Sequence, residues 1–136
     1  MDLSPLIQRV RNNLSDIPES YVLDPVLLGD LKRAEAFVTL IKSEVAESNA
    51  VVTGIEFLAA YYTHVTWTTL VEKEQGEVPY STIQKSLQHR AMAKAYLSLI
   101  SKYPLSDDLS IDFSKVKGTI PAFVMPTSIA DFSKRW

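Results

Sequence analysis

Cysteine is missing altogether, which excludes disulfides, thiolate metal ligands and cysteine nucleophiles. Glycine is scarce: 4 residues in 136 leave little with which to cradle a phosphate, and no glycine-rich phosphate loop, HExxH or GxSxG occurs. Long apolar runs are missing too. The longest, "FLAAYY" and "AFVM", fall far short of the roughly 20 residues that span a bilayer. The opening "MDLSPLIQRV" has no basic stretch leading into an apolar one, so no signal peptide is seen and the chain reads as a soluble intracellular product. Neither sign of charge dominates. With 14 basic and 16 acidic residues the net charge is -2, which provides no field for holding a phosphate backbone regardless of sequence.

What is present is ordinary globular material. A hydrophobic fraction of 46% against 22% charged argues against wholesale disorder, and the length suits one domain with a real core. Four helical segments are expected, giving a mainly α fold. Over residues 4 to 15, Ser4-Pro5 supplies a cap and a first-turn proline, and Leu3, Leu6, Ile7, Val10 and Leu14 share a stripe. The second helix opens on Asp24-Pro25. Leu27, Leu31, Ala34, Val38, Ile41 and Val45 then recur at alternating spacings of four and three, a seam widened by Phe37 and Leu40. A third helix is expected over about 51 to 75, although "THVTWTTLV" is β-branched enough to be a strand on propensity alone. The fourth runs from Ser81 or Thr82 to about Tyr103. Its expected buried face comprises Ile83, Leu87, Ala91, Met92, Ala95, Tyr96, Leu99, Ile100 and Tyr103.

Beyond Pro104 the pattern changes. In "LSIDFS" Leu109, Ile111 and Phe113 alternate with polar residues at a strand period, and prolines at 104, 121 and 126 forbid a helix over most of the rest. The chain therefore divides into a helical bundle domain, 1–103, and an extended C-terminal interaction arm, 104–136, containing a short strand. Ordering those residues costs about 1–2 kcal/mol each, whereas each large apolar side chain returns only about 1.5–3 kcal/mol on burial. Shelter on another polypeptide, with main-chain hydrogen bonds made as well, answers that deficit better than wrapping the home bundle. In a mixed arrangement 105 to 117 packs at home and 119 to 136 reaches out. The interface residues expected are Ile120, Phe123, Met125, Ile129, Phe132, Arg135 and Trp136.

Catalytic, metal and cofactor residues are not found by motif. Neither His64 nor His89 has a glutamate three residues before it, as the dimetal motif of helical bundles requires. His64 is expected to be a helix histidine bonded to a backbone group or a tyrosine hydroxyl. His89, beside Lys85, Arg90 and Lys94, reads as the solvated side of the fourth helix, with a small anion-binding face as the sharper alternative. Glu56, inside an apolar helix, reads as exposed or paired with a partner, with a buried carboxylate as the alternative. Phe57, Tyr61, Tyr62 and Trp67 are spread around the third helix and divide between core packing and a protein interface.

The order of elements resembles the head–tail connector (adaptor, or head-completion) proteins of tailed bacteriophages and related viruses. It rests on the short leading helix "LIQRVRNNL", then "DPVLLGDLKRAEAFV" opening a long helix, then "GIEFLAAYYTHVTW", a further helix and an extended C-terminal arm. The resemblance implies a structural virion protein, not an enzyme, made in the host cytoplasm and placed at the head–tail interface. It implies a ring, typically of twelve copies, between the portal protein and a tail or stopper protein, with DNA passing through the lumen without being bound by sequence. The alternative is a cellular helical protein-binding module that uses its C-terminal tail to dock on a partner. A small enzyme built around His64 and Glu56 is a third reading.

Overall fold

The computed structural model describes residues 1–116. The seven expected interface residues, Ile120 to Trp136, lie outside that range. Four helices account for most of the described chain: α1 (Ser4–Asn12), α2 (Asp24–Ile41), α3 (Ser48–Gln75) and α4 (Tyr80–Ile100). The fold is mainly α, as the periodicities predict.

α1 buries Leu6 and Val10, with Leu3 and Leu14 continuing the stripe just beyond its two ends. Its first turn is capped by Asp2, whose carboxylate accepts from the Ser4 N–H at 3.1 Å, so the capping oxygen comes from two residues earlier than the sequence suggests. α2 buries the expected seam: Leu27, Leu31, Ala34, Val38 and Ile41. The seam stops there. Lys42 turns to extended backbone and pairs with Ser101 in an antiparallel bridge, with Ser43 N–H donating to the Ile100 carbonyl (2.7 Å) and Lys102 N–H to that of Ile41 (2.8 Å). These bonds satisfy groups at the ends of α2 and α4 together. Val45, expected as the last seam residue, is 90% exposed, and Leu40 is exposed as well.

α3 is helical throughout in spite of its threonines. Thr53, Thr63, Thr66, Thr68 and Thr69 each donate a hydroxyl to the carbonyl four residues earlier at 2.9–3.0 Å, which accommodates them inside a helix. It ends on Gly76, left-handed at φ 79°, whose N–H caps the Glu72 carbonyl at 2.8 Å. The turn after it leads through Pro79 into α4, so α3 and α4 form an antiparallel hairpin.

α3 is the hub and packs on each of the other helices. At its contact with α4, a Cβ on Gly54 would stand 3.1 Å from Leu97 Cδ2 and 3.3 Å from Ile100 Cδ1, so the missing side chain sets how closely the two helices approach. α4 accordingly buries His89, Ala93, Leu97 and Ile100. That differs from the expected face. Ile83 (42%), Leu87 (48%), Met92 and Leu99 (77%) are exposed, as are Ala91 and Ala95, because α4 lies at the edge of the bundle.

The stretch after α4 folds back on the body, where Leu105 and Leu109 join the core cluster. Residues 109–114 do not form the expected strand. Leu105 and Ile111 make a single bridge, Leu109 adopts φ 68°, and Phe113–Lys115 is a short 3-10 turn. Asp108 explains the tight loop: its Oδ1 accepts from the Ser110 N–H (3.2 Å) and hydroxyl (2.7 Å), and also from the Ser106 hydroxyl. The local turn bonds outcompete the alternation.

Candidate functional site

The α3–α4 hairpin brings the two histidines level. His64 lies eleven residues before the end of α3 at Gln75, and His89 nine after the start of α4 at Tyr80. Their ring centroids are 5.1 Å apart at 42°. Both are buried, His64 completely and His89 to 5% exposure.

The third member is Asp16, in the connection between α1 and α2. Its neighbours Leu14 and Ile17 are core residues, linked by a turn bond from the Ile17 N–H to the Leu14 carbonyl (3.0 Å), and this directs the intervening carboxylate inward. Asp16 Oδ2 lies 2.7 Å from His64 Nε2. A carboxylate only accepts, so Nε2 carries the hydrogen. On the other side of the ring, Thr68 Oγ1 stands 3.4 Å from Nδ1 while donating to the His64 carbonyl at 2.9 Å. Asp16 is about one-third exposed and forms the open side of the cluster.

His89 is different in kind. Among the described residues, neither of its ring nitrogens has a hydrogen-bonding partner. Burial, reinforced by His64 and by the Lys85 ammonium, pushes its imidazole down to about 4 against a weaker opposing pull from Asp16. It is therefore neutral at pH 7, with a donor and an acceptor both unused. Buried polar groups in that condition are rare and costly.

His64 thus differs from its expected backbone or tyrosine partner, and His89 is a buried residue, not part of a solvated basic face. Of its supposed companions, Lys94 forms an ion pair with Asp107. Glu56 is buried and engaged elsewhere: Asn13 donates to Oε2 at 3.0 Å, and the Arg9 guanidinium makes an ion pair with Oε1 at 2.6 Å without aiming an N–H along the contact. Eight residues from His64 on the same helix, about 12 Å along its axis, Glu56 belongs to a separate cluster. A third polar cluster joins Asp30 to Thr63, whose hydroxyl lies 2.6 Å from Oδ2; burial raises the Asp30 carboxyl, partly offset by this bond and by Arg33.

The aromatic residues of α3 are half-buried and have partners within the chain. Phe57 stacks on Tyr96 at 4.9 Å, Trp67 tilts against Tyr21 at 5.1 Å, and Arg33 sits 3.9 Å above the Tyr62 ring. The large exposed apolar surface is instead on α4. There Leu87, Ala91 and Ala95, with Arg90, Lys94, Ser98 and Asp107, line a shallow groove of about 390 Å³.

Asp16 carries no signal in the sequence, being separated from His64 by 48 residues. The two histidines carry one: placed nearly symmetrically about the turn at Gly76–Pro79, they face each other in any antiparallel pairing of the two helices. Among the described residues, no helix is long and apolar enough to cross a membrane. No family model, curated protein or solved structure matches the chain.

Proposed function

We propose that the chain is a structural virion protein, a head–tail adaptor that forms a ring between portal and tail, docks through its C-terminal arm and lets DNA pass through the lumen. The observation that supports this reading is the apolar row on α4. Ile83, Leu87, Ala91, Met92, Ala95 and Leu99 are all exposed on a helix whose opposite face is the one packed on α3. Lone exposed apolar residues are normal in monomers; a continuous row on one helix suits an interface.

A second copy is the occupant that fits. Arg90 and Lys94 flank the α4 row, while Leu40 and Val45, exposed around the end of α2, are flanked by Glu44 and Glu47. Both patches are apolar with charge of both signs at the rim, Lys94 being paired with Asp107 and Lys42 lying exposed beside Glu44, and they lie on different parts of the chain. Apolar patches on different parts of one chain make a head-to-tail contact, and such contacts generate rings when the rotation closes. Burying a few such side chains yields about 1.5–3 kcal/mol each, against association costs of at least about 4 kcal/mol. A single contact is therefore weak, and closure around a ring with the arm engaged makes it durable.

Imaging of assembled particles tests the proposal. The expected result is a ring of this chain, about twelve copies, seated between portal and tail. Truncation after Gly118 is expected to leave a folded bundle that no longer joins the particle. A chain found outside the particle, or as a lone copy within it, overturns the reading.

A further inference from the structure

We propose that Asp16, His64 and His89 form a binding site for one divalent transition-metal ion of the zinc class, with solvent completing the coordination on the open Asp16 side. One ligand atom from each residue lies within 4.8 Å of the other two. Zinc bonds of about 2.1 Å place tetrahedral ligand atoms about 3.4 Å apart, so modest side-chain rotations suffice to close the set. Two imidazoles and one carboxylate are a donor set suited to zinc and its neighbours, not to magnesium or calcium, which prefer all-oxygen shells.

His89 is the independent sign of a ligand. It is 5% exposed, unpartnered among the described residues, and contributes a nitrogen to the three-atom cluster. A metal bond would use the lone pair that the fold leaves idle. Thr68 Oγ1, 3.4 Å from His64 Nδ1, stands where an outer hydrogen-bond acceptor orients a metal-bound imidazole. On binding, His64 presents Nε2 to the metal as the Nδ1–H tautomer: the Nε2 proton passes to solvent and one is taken up at Nδ1, so the ring stays neutral and can donate to Thr68 Oγ1. Lys85, half-buried one turn before His89, places a positive charge nearby that Asp16 opposes, so weakly held cations that bind by charge alone are disfavoured. The ion would tie the α1–α2 connection to the α3–α4 hairpin.

The test uses the untagged full chain, stripped with a chelator, and titrated with Zn²⁺, Co²⁺ and Mg²⁺ separately. Zn²⁺ at about 100 times its Kd is expected to raise Tm by about 5–10 °C. Co²⁺ is expected to develop the visible absorption of a low-symmetry site, and Mg²⁺ to do nothing. His89→Leu removes a ligand but no hydrogen bond, so metal-free Tm is expected to hold or rise while Zn²⁺ affinity falls by about 100-fold or more. Asp16→Ala, in an exposed loop, is the second variant and is expected to lose affinity likewise. Absence of a Zn²⁺ or Co²⁺ response in the parent chain overturns the proposal, and so does undiminished Zn²⁺ affinity in either variant.

Discussion

α2 and α4 both carry apolar residues at helical spacing, yet the fold treats them oppositely. In α2 the greasiest face, from Leu27 to Ile41, is the one buried. In α4 the greasiest row faces out, and the buried face opens with a histidine and includes an alanine. Periodicity identifies which residues share a face. Which face is covered depends on the neighbour, and α3 selects through fit: Gly54 admits Leu97 and Ile100, and His64 meets His89. A helix whose hydrophobic face is left uncovered by the other described residues points to contacts beyond them.

Substitutions at matched leucines put the largest strain on that comparison. Leu31→Ala, in the fully buried α2 seam, is expected to cost about 2–5 kcal/mol in chemical denaturation. Leu87→Ala is expected to change monomer stability by no more than about 0.5–1 kcal/mol. Equal losses at the two positions would mean that the α4 row is covered at home. The glycines give an intermediate effect of opposite sign. Gly54→Ala forces a methyl against Leu97 and is expected to cost about 1–3 kcal/mol, whereas Gly29→Ala, with nothing within 4 Å, is expected to gain about 0.5–1 kcal/mol.

The smallest effect is in the 106–110 loop after α4. Hydrogen bonds from Ser106 and Ser110 hold the Asp108 carboxyl down to about 2, below its ordinary 3.8. A depressed acid stabilises the folded loop in full above the unfolded value, and the contribution is lost as pH falls from about 4 through 2. Protection of the Ser110 amide, relative to its intrinsic exchange rate at each pH, is expected to fall across that window. In Asp108→Asn the protection should be lower from the start and lose that pH dependence.

The four helices, their order and the α2 seam were legible because proline starts and alternating spacings of three and four residues are local signals. The end of α2 was not, since its bridge to Ser101 is a contact across nearly sixty residues. The strand pattern at 109–114 misled because side-chain bonds from Asp108 favour a tight loop over an isolated strand with no sheet to join. Of the candidate site, the histidines were visible as residues but not as a pair, and Asp16 had no local mark. Its place is set by Leu14 and Ile17 on either side.

Photo-crosslinking from position 87, in particles assembled with the full-length chain, addresses the α4 row directly. With a photoreactive residue replacing Leu87, the expected product is an adduct joining two copies of this chain, with the crosslink on the second copy near Leu40 and Val45. Crosslinks confined to the same chain, or to none, would contradict the assignment of α4 as the face on which copies meet.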